Sequence, residues 1–277
     1  MEKLKNMDLY DIISNIIVFI LALAFLYPLF WLLTSSFKTS AEIYQMPPTI
    51  FPENFHTGNY EKLFENQPAF RWIFNSIFVA GVSSGLSVLF SSLAAYAFAK
   101  LKFVGKTFLF IMIIASIMIP KETFIVPLFE IIVDLGWVDT YSSMIFPNLG
   151  TGVGTFMLFS FFNDIPDSLR ESAKIDGANE FTIFRRLMLP IVAPGIGALF
   201  IMNFVTFWND YLWQLLMARS TEMQTISVGV AGLQQALNPD IGLRIAGAAV
   251  AAIPMVIIFL LFQRYFTSGL TAGAVKE

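Results

Sequence analysis

Long charge-free apolar runs alternate with short polar segments along the whole chain. The runs between Asp11 and Lys38, Arg71 and Lys100, Asp139 and Asp164, Arg186 and Asp210, and Arg244 and Arg264 hold 26, 28, 24, 23 and 19 residues. About 20 apolar residues in a helix cross a hydrocarbon core of roughly 30 Å, so each run is long enough. A sixth run, Thr107 to Pro120, holds 14 residues before Lys121 and Glu122, and apolar character returns from Thr123 to Val133. It reads as one crossing broken near Pro120, whose missing N–H interrupts the helix, with Pro127 repeating the disturbance. The pattern predicts spans at 12–35, 72–98, 107–133, 141–162, 188–213 and 245–263, within a single domain over 1–277. Two segments are too polar for lipid and too long for tight turns: a loop at 36–71 and another at 163–190. The first run is too long for the apolar part of a cleavable signal, and no A-x-A-like site follows it, so it reads as a retained anchor.

Composition agrees with an all-α integral membrane protein of six helices. Of 277 residues, 56% are hydrophobic and 13% charged, with a mean hydropathy of +0.69. Soluble domains run nearer about 45–50% apolar and about 25% charged. That excludes a water-soluble fold, and disorder with it. The absence of cysteine removes a disulfide framework, thiol chemistry and thiolate metal sites. A net charge of −3 offers no basic patch for nucleic acid.

Six crossings put both termini on one side, and the positive-inside rule chooses it. With both termini cytoplasmic, Lys3, Lys5, Lys100, Lys102, Lys106, Arg170, Lys174, Arg185, Arg186, Arg264 and Lys276 lie inside. Those are 11 of 17 basic residues; Lys38, Lys62, Arg71, Lys121, Arg219 and Arg244 lie outside. The 36–71 loop is then external and the 163–190 loop cytoplasmic.

The 163–190 loop carries helix punctuation. Pro166 suits a first turn, and Asp164 and Asp167 sit at the positive end of the helix dipole. Gly177 can take the left-handed conformation that ends a helix. A second short helix follows from Asn179, its N-cap, to Leu189. Phe181, Phe184, Leu187 and Met188 form one apolar stripe, with Arg185 and Arg186 facing elsewhere. Two short helices at a Gly elbow with an apolar patch need either a partner or the headgroup layer to cover it.

Glu171-Ser172-Ala173, Gly177 and the later Leu189-Pro190 resemble the E-A-A---G loop of ABC importer permeases. The string from Glu171 through Asp176, Gly177 and Ala178 looks like the form found in carbohydrate importers of the maltose type. Asn75-Ser76, Ala94-Ala95-Tyr96-Ala97-Phe98-Ala99-Lys100, Trp208-Asn209-Asp210-Tyr211-Leu212-Trp213 and the tail from Gln263 to Lys276 also resemble that family, so the likeness covers most of the chain. Ser172 replaces the first Ala of the motif, Gln214 stands where Pro is common, and Glu277 replaces a terminal Gly.

The resemblance implies a type I ABC importer permease architecture. It makes the loop a coupling helix seated in a groove of a cytoplasmic ATPase. Glu171 would contact the ATPase, Ala173 would allow close approach, and Gly177 would set the elbow; Ser172, Asp176, Ala178 and Phe181 belong to the same surface. It also implies a second homologous permease forming a heterodimer, two ATPase subunits that use ATP and Mg, an extracellular solute-binding protein and a sugar substrate. This chain would bind no cofactor itself and would be a multi-pass protein of the cell membrane, in contact with lipid. The 36–71 region and the Arg219–Arg244 loop are candidate docking faces for the binding protein, or simple connections.

Other motifs carry less. Gly105-Lys106-Thr107 matches the end of a phosphate-binding P-loop, but Lys100 occupies its first Gly position. ATP hydrolysis must then come from another chain. Gly81-x-Ser83-x-Gly85 matches a nucleophile elbow, yet it lies inside an apolar span and His56, the lone histidine, lies in an outer loop. The same residues read as a small-residue packing face.

Polar residues in a span cost roughly 2.5–3.5 kcal/mol for Asp at its centre, which makes them functional candidates. Asn203, Asn209 and Asp210, with Trp208 and Tyr211, cluster toward the outer end of span five, Asn203 and Asp210 seven apart on one face. They form a wall of the translocation path or outer gate, or else an interfacial aromatic belt with polar seams. An ion-driven secondary transporter would show inverted repeats and midplane carboxylates; no repeat is evident. Import of a non-sugar solute such as glycerol phosphate by the same machinery stays open.

Overall fold

The computed structural model describes residues 9–234 and 240–272, with side chains from 10 to 263. Lys3, Lys5, the last four residues of the tail motif (273–276) and Glu277 lie outside the described residues, as does part of the Arg219–Arg244 loop. Among the described residues every element is helical. In chain order these are α1 (Leu9–Ser35), α2 (Ser40–Ile43), α3 (Gly58–Asn66), α4 (Ala69–Lys100), α5 (Lys106–Ile117), α6 (Ile125–Asp134), α7 (Tyr141–Ile145) and α8 (Gly152–Asn163). There follow α9 (Asp167–Ile175), α10 (Glu180–Ile183), α11 (Leu189–Ile191), α12 (Ala193–Trp208), α13 (Leu212–Met217), α14 (Ile226–Gly232) and α15 (Ile241–Ala272).

Helices α1, α4 and α15 are long and apolar enough to cross a bilayer singly. Three bent pairs complete six crossings when each pair counts as one span. The first bends by 97° between Ile117 and Lys121, at the break expected near Pro120. The other two breaks lie in spans that the apolar pattern presents as continuous. Span four bends by 47° between Asn148 and Gly152, where Pro147, Gly150 and Gly152 cluster. Span five bends by 78° at Val192: Pro194 has no N–H for the Pro190 carbonyl, and the ladder parts there. Hydropathy counts apolar residues and is blind to such backbone interruptions.

Contacts divide the chain into two compact units, Met1–Pro68 with Val230–Ala252 and Ala69–Gly229 with Ile253–Glu277. In the first unit the polar 36–71 stretch is folded rather than merely connective. Buried Asn59 donates to the carbonyls of Ser36 (2.9 Å) and Lys38 (2.8 Å). Asp240 caps α15 by accepting from the N–H of Gly242 and Leu243. The same carboxylate accepts from Ser40 and pairs with Lys62 at 2.7 Å.

In the second unit α4, α8 and α12 pack around a core that includes Val88, Ala95, Leu158, Phe162 and Leu199. The middle of the buried face of α4 is rich in hydroxyls and small residues, among them Ser83, Ser84, Ser87, Ser91 and Ser92. Within the chain no helix packs closely on Gly81 or Gly85: a Cβ at either glycine would meet nothing within 4 Å. Serines three and four apart supply the close seam instead. Its tightest point is Gly154 of α8, where a Cβ would lie 2.6 Å from Thr151 Oγ1 and 2.8 Å from Ser91 Oγ.

Candidate functional site

Helix α9 starts after Pro166 and ends at a Gly elbow that the chain's local chemistry dictates. Gly177 sits at φ +82°. The Ala178 N–H donates to the Ala173 carbonyl and the Gly177 N–H to the Lys174 carbonyl, both at 3.0 Å. This pair of bonds is a Schellman closure, with Gly177 in the left-handed position it requires. Asn179 Oδ1 then accepts from the Thr182 N–H at 2.9 Å and caps α10, as expected. Residues 184–188 continue as a π-helical turn leading to α11.

That π turn changes which side chains face inward. Phe184 and Met188 of the expected stripe are buried, joined by Ile183, while Phe181 stays 65% exposed. Leu187 is half-buried and Arg185 and Arg186 face solvent. Ile165, Ile183, Phe184, Met188 and Val192 belong to the same apolar core as α4, α8 and α12. The elbow is therefore seated on the spans through its base.

Glu171, Ser172, Asp176, Gly177 and Phe181 form its solvent side. Ala173 and Ala178, the two ends of the Schellman closure, are half-buried against the core. With Ile175 and Leu169 also exposed, the segment presents an apolar and acidic outer surface on a braced base.

The bracing is ionic and was not predicted from the sequence. Glu180 lies at its centre. Arg170 donates from Nε to Glu180 Oε2 at 3.2 Å and from Nη2 to Oε1. Lys174 Nζ lies 2.6 Å from the same Oε1. Tyr96 of α4 donates its hydroxyl to Oε2 at 2.8 Å. The Arg170 guanidinium, with help from Lys174 and Tyr96 against partial burial, holds the Glu180 carboxyl down at about 2. Four residues along α4, Lys100 donates to the Ile165 carbonyl and pairs with Asp167 at 2.7 Å. Hydrogen bonding and charge from Lys100 hold the Asp167 carboxyl below its usual range. The available signal was spacing: Arg170 and Lys174, like Tyr96 and Lys100, are i,i+4 pairs on one helix face.

The polar cluster at the end of α12 is arranged differently from its expected form. The helix ends at Trp208, so Asn203 and Asp210 share no helical face. Asn203 is buried and donates to Ser87 Oγ of α4 at 3.1 Å. Asn209 bonds back to the Val205 carbonyl. Asp210 accepts from the Trp213 N–H through Oδ1 and pairs through Oδ2 with Lys121 at 3.1 Å. Lys121, in the break between α5 and α6, also donates to Asn148 Oδ1 at 2.8 Å. Trp208 is buried and stacked on Phe204, and Tyr211 is 36% exposed. The structure thus separates a seam residue, Asn203, from Asp210, which with Lys121 and Asn148 ties three chain breaks together.

Asn75 and Ser76, at the start of α4, hold a further connection. Asn75 donates to the carbonyls of Glu222 (2.7 Å) and Gln224 (2.9 Å) and accepts from the Tyr141 hydroxyl. Ser76 Oγ accepts from the Ile226 N–H.

Residues 87–271 match the family model described as the binding-protein-dependent transport system inner membrane component. The chain is 35% identical over 272 residues to the arabinooligosaccharides transport system permease protein AraQ of Bacillus subtilis, covering 97% of each. It is 33% identical over 277 residues to the melibiose/raffinose/stachyose import permease protein MelC of the same organism, covering 99% of this chain and 98% of that one. In fold it is similar to a chain of a bacterial ABC transporter involved in the import of the acidic polysaccharide alginate, with a TM-score of 0.82 at 21% identity over 93% of this chain and 96% of that chain. With most of its length matched by the family model and nearly all of it by permease relatives, this multi-pass membrane protein belongs to the inner membrane components of binding-protein-dependent transport systems, the permease subunits of ABC importers.

Proposed function

We propose that this permease subunit carries a sugar or oligosaccharide inward by alternating access, and that the α9–α10 elbow is where an ATPase drives it. The observation that carries this reading is the elbow itself: Glu171, Asp176, Gly177 and Phe181 exposed on one side, and a base seated in the core of α4, α8 and α12 on the other. A short rigid projection transmits a push without bending, and its uncovered apolar surface needs a protein partner. In this reading a second permease completes the path and two ATPase subunits bind and hydrolyse ATP with Mg. An extracellular solute-binding protein delivers the solute. Both termini and the 163–190 loop lie on the cytoplasmic side. The folded 36–71 region and the Arg219–Arg244 loop face the binding protein. The names of AraQ and MelC, oligosaccharide permeases over the full length, support the solute class.

At the opposite end, the Lys121–Asp210–Asn148 cluster and Tyr211 are the best-supported outer gate, because they join three chain breaks. The test is co-purification from native membrane in mild detergent, wild type beside Gly177→Asp. Asp tolerates left-handed backbone better than most residues, so a loss reports on docking more than on folding. Wild type brings down an ATPase chain and a second permease; the variant loses the ATPase or the coupling of hydrolysis to transport. Wild type purifying alone, with Gly177→Asp unchanged, would refute the reading.

A further inference from the structure

The α9–α10 segment is covalently continuous with α8 on one side and, through α11, with α12 on the other. Helix α4 has no such continuity, because about seventy residues separate it from the elbow. Yet α4 is the helix that makes the polar contacts. Tyr96 reaches Glu180 on the far side of the elbow, and Lys100 reaches Ile165 and Asp167 at its near side. Lys100 keeps only 4% of its side chain exposed, and Tyr96 is 4% exposed with its ring edge-on to Phe162 at 5.7 Å. Two contacts one helical turn apart on α4, one at the start of α9 and one at the start of α10, prevent the elbow from pivoting on that helix. A single contact would leave a hinge.

We infer that Glu180 is a positioning residue that, with Tyr96, Lys100 and Asp167, clamps the elbow to α4 so that α4 moves as one body with it. The clamp rests on the reading of the elbow as the ATPase docking element. It assigns Glu180 a role apart from docking: the carboxylate faces α4 and α9, whereas Glu171 faces solvent. Arg170 and Lys174 serve it by gathering both positive charges of α9 on one acceptor. Breaking the clamp leaves the docking surface intact and lets the elbow move without α4.

The test uses the whole complex in proteoliposomes, with solute uptake and ATP hydrolysis read together. Tyr96→Phe removes only a hydroxyl from a packed ring, and Glu180→Gln removes only a charge. Each is expected to co-purify with the ATPase as wild type does, to hydrolyse ATP, and to lower solute moved per ATP about five-fold or more. The double variant should be no worse than the poorer single one, because both break the same contact. The chain has no cysteine, so spin labels at Leu93→Cys of α4 and Ser168→Cys of α9 report the geometry directly. Their separation stays constant through the ATP cycle with the clamp intact and changes in Tyr96→Phe. Unchanged uptake per ATP and a constant separation in both variants, while Gly177→Asp uncouples, would overturn the clamp and leave the docking reading standing. If Gly177→Asp also changes nothing and no ATPase co-purifies, the docking reading falls and the clamp falls with it.

Discussion

At the α9–α10 elbow Glu171, Ser172, Asp176, Gly177 and Phe181 of the sequence motif stay in solvent, on a surface open to a partner. At the end of α12 the residues singled out for polarity are already engaged within the chain: Asn203 by Ser87, Asn209 by Val205, Asp210 by Lys121 and Trp213. Both regions are polar patches beside apolar spans, and both look functional in one dimension. A motif of small residues around a Gly leaves a surface to be covered. A cluster of amides and carboxylates in a span is consumed by its own fold, since unpaired polar groups there are costly. What remains available at the α12 end is the Lys121–Asp210 pair, which can open, and the edge of Tyr211.

The largest effect expected from this contrast is at Gly177. Gly177→Val puts a β-branched residue at φ +82°, which costs roughly 1–2 kcal/mol of backbone strain and displaces α10. Uptake in reconstituted vesicles should fall at least ten-fold, while the melting temperature of the purified subunit drops by only a few degrees. Next comes the ion pair at the other end. Asp210→Asn should lower uptake roughly five-fold, the factor that about 1 kcal/mol supplies, and Lys121→Asp with Asp210→Lys should recover most of it. Failure of the reversed pair to recover would mean that Asp210 acts through its cap on α13 rather than through Lys121.

Asn203→Leu tests the seam. Losing the bond to Ser87 should cost about 0.6–1.7 kcal/mol and shift thermal unfolding by a few degrees, with uptake per folded complex retained. Ser172→Ala removes a hydroxyl that bonds only to the Ser168 carbonyl one turn back. Uptake should stay within about two-fold, as for most surface substitutions, which is why Ser in place of the motif's first Ala is accommodated. The smallest effect is that of pH on the elbow. The Glu180 carboxyl is depressed from 4.5 to about 2, so its stabilising contribution is complete above roughly pH 5 and is lost only as pH falls through the native value. The melting-temperature difference between wild type and Glu180→Gln should be the same at about pH 8 and about pH 6 and shrink below about pH 4. A difference that already shrinks near pH 6 would show that Arg170 and Lys174 do not hold this charge.

What was readable in one dimension was local. The Pro120 break, the Gly177 elbow and the Asn179 cap each depend on residues within one turn of themselves, and each stands where the sequence puts it. The stripe on the second short helix was half right: its π turn, which no propensity marks, kept Phe184 and Met188 inward and left Phe181 outside. Within the chain the neighbouring helices come against the serines of α4 rather than against Gly81 and Gly85, because glycines permit close approach but do not cause it.

By itself the sequence determined that the chain crosses a membrane repeatedly, because runs of about 20 apolar residues satisfy a bilayer wherever they fold. It also determined where those runs are interrupted by an elbow with a specific small-residue surface, because caps and left-handed glycine are matters of adjacent bonds. Only the tertiary structure decided that Tyr96 and Lys100 meet an elbow some seventy residues on, that Lys121 joins the breaks in spans three and four to the end of α12, and that serine lines the close seam between α4 and α8. Those contacts depend on how helices approach one another. Between apolar helices the approach is set by shape and by the few polar groups that must find partners, information that no window of neighbouring residues contains.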